Sequence, residues 1–440
     1  MSERKTAERR IGWARFWARA KQIATTDPTG SDDDDQVVDE ETARVLATQA
    51  GLLKGGLAKV AQLAAYDPGA TLGGKSGATT VSRELLGGLW DHAPAVQADA
   101  IAGVIERDLG KAPQMLFAHW EASPLASASL GQVHAARLHD GTEVVVKVQY
   151  PGVAEALRAD LDDASFVRRL AGAEIGRSLD ADALATLGDA VRGELDYRAE
   201  AAHLARFAAA WAGHATLRFP RVIAELSSER VLTMTRARGK SVVETAASGS
   251  ANLRRQAALA IYEVAWGSPL AHGLLNADPN PGNFLVDEQP DGSAHVWALD
   301  FGCAIEIPEA VRDGDRELWW ALVDDDQAAA AERFRMGLAR GGLLRRTDSL
   351  ATTAHREWER ALAWPLATGG DFHWSSEYAR ELAETTGRVL AAGGVALPAK
   401  LLLLWRQRLG VSSVLGLLDA TAPFRRTLVN LIGHGKHALR

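Results

Sequence analysis

The chain is 440 residues long, with 47% apolar and 24% charged side chains and a formal net charge of −7. That balance excludes a disordered chain, a collagen-like repeat and a many-span membrane protein. The acidic excess argues against general nucleic-acid binding, which draws on clustered Lys and Arg, and the one cysteine, Cys303, permits no intramolecular disulfide and fits a reducing, cytoplasmic setting.

Residues 1–24 carry seven basic and two acidic side chains, with Ile11, Trp13, Phe16, Trp17, Ala20 and Ile23 near helical spacing. Two readings of this basic amphipathic helix stand: it docks on the protein's own body, or it lies peripherally in a membrane interface. The acidic run DPTGSDDDDQVVDEE at 27–41 reads as a solvated linker and ends a first segment, 1–41. Residues 42–115 read as a helical extension, broken by glycines such as Gly55, Gly56, Gly73 and Gly74.

From 116 the pattern turns to strands. QVHAARL and EVVVKVQ flank the turn His139-Asp140-Gly141-Thr142, a hairpin signature. Helices are expected over 153–172 and 178–209, and strands at FPRVIAEL and ERVLTMT. This β-rich stretch, 116–235, precedes a largely helical one, 236–440, interrupted by the short strands NFLVD and HVWALDF. Near the C-terminus, VALPAKLLLLWRQRLGVSSVLGLL is broken by Lys400, Arg406 and Arg408 and reads as a buried core helix, not a membrane span. The order predicts an α+β protein with a small β-rich lobe before a larger helical one.

Four scattered pieces combine into one chemical pattern. Lys147 sits mid-strand in EVVVKVQ, and a glutamate-bearing helix follows. Asp278 and Asn283 lie five residues apart in NADPNPGNFLVD, and Asp300-Phe301-Gly302 follows 17 residues after Asn283. A protein-kinase-like site requires this order. ATP is a polyanion whose phosphates need a hard divalent cation, and such cations take oxygen ligands. Asp300 offers a carboxylate and Asn283 a neutral amide oxygen. Lys147 supplies a point charge and needs an acidic partner to hold its long side chain. Asp278 is placed to accept a proton from, or orient, an attacking hydroxyl or water. The competing reading is local: Asp-Pro, Asn-Pro and Pro-Gly pairs form turns, and Asp300 would cap one.

With these motifs in place, the sequence resembles the UbiB/AarF-type atypical kinases, in the branch that includes the mitochondrial coenzyme Q proteins. PLASASLGQVHAARLHDGTEVVVKVQYPGV, GELDYRAEAAHLARF, ERVLTM, NADPNPGNFLVD and ALDFG carry the resemblance, which spans roughly 42–440. It implies a protein-kinase-like two-lobed fold with a helical N-terminal extension. It also implies a nucleotide loop of Ala126, Ser127, Ala128 and Ser129 followed by Gly131, with Lys147 paired to Glu200. The family's Glu-x-Asp motif falls on Glu194 and Asp196. Its Lys-x-Gly-Gln motif falls on Lys59-Val60-Ala61-Gln62, where Ala61 departs from the pattern. In the family this extension covers the site where a protein substrate would bind, which suggests a Lys59–Glu194 pair. At 100° per residue, Asp196 and Glu200 would share a helix face and Glu194 would lie about 200° from Asp196.

Other departures are Thr235 where a hinge glutamate is usual, and Asn276-Ala277 ahead of Asp278 with no arginine there. After Gly302 there is no activation segment and no Ala-Pro-Glu motif, so a peptide-docking platform is not expected. Cys303 reads either as a small buried residue or as a reactive one. The resemblance implies an ATP-binding ATPase or phosphotransferase, dependent on Mg²⁺ or Mn²⁺, that supports isoprenoid-quinone biosynthesis at a membrane surface. Lipids or quinone-pathway intermediates would be its partners, with no nucleic acid. The alternatives are a nucleotide-binding regulatory module with negligible turnover and a small-molecule kinase of antibiotic-phosphotransferase type. The oligomeric state is left open.

Overall fold

The computed structural model describes residues 98–127, 130–154, 158, 181–324, 327–344, 353–367, 370–392, 395 and 399–437. The basic helix and linker (1–41), most of the extension, the stretch 159–180, and Lys59, Gln62, Ala128 and Ser129 lie outside them.

Helix α1 (Ala98–Leu109) precedes three antiparallel strands: β1 (His119–Ser127), β2 (Gly131–Arg137) and β3 (Glu143–Gln149). Strand β5 (Val231–Thr235) completes a four-stranded sheet of order β1-β2-β3-β5. The period-2 rule explains how β3 serves two neighbours. Val144, Val146 and Val148 face α1, where Ile101, Val104 and Ile105 recur at helical steps, and all six are fully buried. Val145, Lys147 and Gln149 face the other way, toward the rest of the molecule. Gly131 starts β2 because a Cβ there would lie 2.1 Å from Val148 O.

Helix α2 (Ala181–Gly193) and α3 (Tyr197–Ala210) are separate. The continuous helix expected over 178–209 breaks at Glu194–Asp196 because Asp196 is extended (φ −124°) and its side chain caps α3 by accepting from Arg198 N at 2.9 Å. FPRVIAEL is likewise not a strand. It pairs with β5 through an isolated bridge, Val222 to Met234, and turns into a short 3₁₀ segment at Ala224–Leu226. Backbone bonds flank the bridge, Ile223 N to Thr233 O and Thr235 N to Arg221 O, and past it hydroxyls take part: Thr233 N donates to Ser227 Oγ and Thr233 Oγ1 to Leu226 O.

A second four-stranded sheet, β4-β9-β8-β6, combines β4 (Leu217–Arg218), β6 (Lys240–Ser241), β8 (Phe284–Glu288) and β9 (Ala294–Ala298). Helix α4 (Val242–Ser248) opens on a Ser241–Glu244 capping box. Helix α5 (Ala251–Tyr262) continues into a π-helical stretch, Glu263–His272, that contains Pro269. Gln407 Nε2 donates to the Ala265 carbonyl of this stretch at 2.9 Å. The stretch ends at Gly273 in the left-handed region (φ 65°), then enters β7 (Leu274–Asn276), which pairs with β10 (Ala304–Glu306).

The remainder is helical: α6 (Glu309–Val323), α7 (Gln327–Arg340), α8 (Thr353–Ala363), α9 (Ser376–Ala391), α10 (Ala399–Leu418) and α11 (Phe424–His437), with a ribbon of β11 (Phe372–Trp374) and β12 (Ala420–Ala422). By length and composition α10 would span a membrane, but 83% of its most apolar window is buried inside the protein. It is a core helix, and its two central arginines, Arg406 and Arg408, face carboxylates. Arg408 makes a bidentate pair with Asp315 of α6 and stacks near Trp266, Trp319 and Trp405. Stranding one charge of such a buried pair is costly, whereas removing both is mild. Arg408→Met alone should therefore lose about 3–5 kcal/mol in thermal or urea unfolding, and Arg408→Met with Asp315→Leu much less.

Candidate active site

Strand β3 delivers Lys147 and the first turn of α3 delivers Glu200, buried at 8% and 2% exposure respectively. Lys147 Nζ donates to both Glu200 carboxylate oxygens at 2.9 Å and to Asp300 Oδ2 at 3.0 Å. The ammonium also lies 5.0 Å above the Tyr197 ring. Burial alone would lower the Lys147 proton affinity, but Asp300 and Glu200 outweigh it and hold the group well above the usual lysine range. Burial pushes the Glu200 carboxyl up to about 7; Lys147 opposes this and Asp300 adds to it. One ammonium meeting two carboxylates leaves a surplus negative charge, which favours binding protons at both ends.

Asp300 accepts from Gly302 N at 3.0 Å through its other oxygen. A Cβ placed on Gly302 would lie 3.2 Å from Glu194 Cγ, 3.4 Å from Asp300 Oδ1 and 3.6 Å from Glu200 Oε2, so three acidic side chains meet around this glycine. Glu194, not Asp196, is the motif residue brought beside Glu200. Asp196 is spent on capping α3, which corrects the face-sharing expected from helical spacing. Cys303 is buried and its thiol donates to Glu194. Lys59, the expected partner of Glu194, lies outside the described residues, as does Gln62. Phe301 packs between Phe207 of α3 and Phe219, with ring centroids 4.7 and 5.9 Å away, so the turn bearing Asp300 and the helix bearing Glu200 share one aromatic contact.

The second half of the constellation is stitched to the first through backbone. Asn283 Nδ2 donates to Asp278 Oδ2 at 3.1 Å and to Asp278 O at 3.2 Å. Asn276, noted as a departure, donates to Asp300 O at 2.7 Å and accepts from Asp278 N at 3.2 Å. Ala277 N donates to Cys303 O, and Leu299 N to Asn283 O. Lys147, Glu200 and Asp300 thus touch directly, Asp278 and Asn283 touch each other, and Asn276 bonds to the backbone of both Asp300 and Asp278. In the nucleotide loop, Ala126 and Ser127 are the last residues of β1, paired with Val133 and Gln132, and Gly131 begins β2. Thr235 ends β5, where its Oγ1 accepts from Arg221 N at 2.9 Å.

Arg406 is the residue that sequence reasoning missed. It lies on α10, buried at 3% exposure, with Nη2 4.0 Å from Asp278 Oδ1. In the sequence it marks only an interruption of an apolar helix. The available signal was physical: a charge in a helix buried on all sides must meet a partner. The arginine absent ahead of Asp278 in sequence has a spatial counterpart here, brought from far down the chain.

Glu200 binds a proton in the folded protein up to about pH 7, whereas the unfolded chain releases it near 4.5. Its contribution to stability is therefore present below pH 4.5 and is lost as the pH rises toward 7. Without nucleotide, wild type should lose stability relative to Glu200→Gln across that window, read as the difference in Tm against pH. The opposite slope would mean that Lys147 holds the carboxyl below its ordinary range.

Comparison with known proteins agrees with this geometry. The sequence profile of the ABC1 atypical kinase-like domain matches residues 88–334. An uncharacterized protein of Mycobacterium tuberculosis is 34% identical over 374 residues, 82% of this chain and 71% of its own length. The mitochondrial atypical kinase COQ8B of Rattus norvegicus is 36% identical over 227 residues, 49% of this chain and 42% of its own. Among solved structures, Rv3197 of Mycobacterium tuberculosis, in a complex with erythromycin, superposes with a TM-score of 0.59 at 27% identity, covering 90% of this chain and 97% of that one. The fold is α+β and protein-kinase-like, and the chain belongs to the ABC1 (UbiB/AarF) family of atypical kinases.

Proposed function

We propose that this chain is an ATP-dependent, metal-requiring kinase-like enzyme that passes the γ-phosphoryl group to water or to a small or lipid-like hydroxyl compound. The observation that carries this reading is the junction of Lys147, Glu200 and Asp300 beside the Asp278–Asn283 pair. All three ammonium hydrogens of Lys147 are engaged, two on Glu200 and one on Asp300. A nucleotide phosphate therefore competes with Asp300 for the ammonium, while Glu200 keeps the side chain extended.

Asp300 and Asn283 fit a divalent cation. Asp300 is the most accessible of the three charged groups, at 29% side-chain exposure. Asn283 turns its amide NH₂ toward Asp278, leaving its carbonyl oxygen as a ligand. Among the described residues no cluster of three or more His, Cys, Asp or Glu could hold a metal. Two oxygen side chains suit Mg²⁺ or Mn²⁺ arriving with nucleotide phosphates, where the cation would neutralise phosphate charge. Asp278 accepts the proton of, or orients, the attacking hydroxyl, whose oxygen bonds to phosphorus as the bond to ADP breaks. Arg406 and Asn283 fix its carboxylate.

A non-peptide acceptor is favoured because β10 begins at Ala304 and α6 at Glu309, leaving no room for an activation segment after Gly302. The isoprenoid-quinone setting is supported by the family resemblance, and a cytoplasmic position at a membrane surface by the basic amphipathic pattern of residues 1–24. The fully engaged Lys147 also favours a second reading, a nucleotide-binding regulator with negligible turnover.

MgATP should raise the Tm of the wild type and release phosphate. Asp300→Asn should abolish the shift. Asp278→Asn should keep it while phosphate release falls by about 10²–10⁴-fold. Release that survives both substitutions would remove this mechanism, and a shift without any release would select the regulator.

A further inference from the structure

Lys147 has a neighbour on its own face of β3 to which phosphotransfer assigns no task. Gln149 follows by two residues and is completely buried. Its Nε2 donates to Leu195 O at 3.0 Å and lies 3.5 Å from Glu229 O. Leu195 belongs to the elbow that launches α3, and Tyr197 N, the first amide of α3, donates to the same Glu229 O at 2.9 Å. Across the sheet Gln149 pairs with Gly131, where β2 leaves the nucleotide loop. One amide thus joins the strand of Lys147 to the start of the helix of Glu200.

The other end of the amide makes no hydrogen bond: Gln149 Oε1 is buried without a partner. An orphaned buried acceptor is unfavourable, and methionine would fill the same space without it. What glutamine adds is its donor end. The two grips of β3 on α3 differ in kind. The Lys147–Glu200 pair weakens or strengthens with any charge that enters the site. The Gln149–Leu195 bond joins neutral groups and does not.

We propose that Gln149 is a positioning residue that holds α3 against β3 independently of charge, so that Glu200 stays aligned while Lys147 exchanges Asp300 for a nucleotide phosphate. The proposal rests on the ATP-dependent reading above.

Hydrogen exchange without nucleotide, followed at the amides of Tyr197, Ala199 and Glu200, tests it in wild type, Lys147→Met and Gln149→Met. Protection should stay within about twofold in Lys147→Met and fall at least about tenfold in Gln149→Met, with α5 unchanged in both. In steady-state assays Gln149→Met should raise the KM for MgATP about tenfold and leave kcat nearly unchanged, since Asp278 is untouched. Protection that survives Gln149→Met, protection that collapses in Lys147→Met, or an unaltered KM each overturns the tether. If Gln149→Met does not fold, the Lys147→Met exchange decides. If the wild type turns over no ATP, the phosphotransfer reading falls, and exchange still judges the tether.

Discussion

A buried ammonium must have its charge met inside the protein, because burying it unpaired is prohibitively unfavourable. Lys147 meets two carboxylates, one from α3 and one from the turn that follows β9. This three-way contact joins the β-rich lobe to the helical lobe at a single atom, Nζ. Glu200, the more deeply buried of the two carboxylates, answers the lysine from α3. Asp300 is the more exposed and the more replaceable of the two partners. The surplus negative charge makes the cluster receptive to a cation.

The helical lobe is organised to present Asp278 to that cluster. Three successive residues of α10 reach three elements: Arg406 the loop of Asp278, Gln407 the Ala265 carbonyl in the π-helical stretch, and Arg408 the Asp315 carboxylate of α6. Successive helical positions point in different directions, so only a helix surrounded on all sides can satisfy all three. That explains why α10 is apolar enough to resemble a membrane span and yet carries two arginines and a glutamine at its centre. The widened helix before β7 is tied to the same helix through the Ala265 carbonyl.

Short connections narrow the chemistry. Between Asp300 and α6 the chain makes one turn, one three-residue strand and a proline. The backbone that positions the Asp300 carboxylate is therefore pinned to β7 through Asn276 rather than carried on a long connecting segment.

Much of this was legible in the amino acids alone. Alternation in EVVVKVQ and the His139-to-Thr142 turn specified a hairpin with Lys147 facing away from the valines at 144, 146 and 148. The order of lysine, glutamate, Asp-x4-Asn and Asp-Phe-Gly specified which side chains belong together, because strand periodicity and turn chemistry are local properties. Tertiary structure decided the rest. Helical spacing placed Asp196 with Glu200, but the competition between continuing a helix and capping one was won by the cap, which handed the position to Glu194. The strand expected at FPRVIAEL shrank to one bridge with β5, because the chain turns into a 3₁₀ segment at Ala224. Arg406 and Gln149 gained their roles from neighbours far away in the chain, and no local period records which distant carbonyl or carboxylate a buried polar group will meet once the core closes around it.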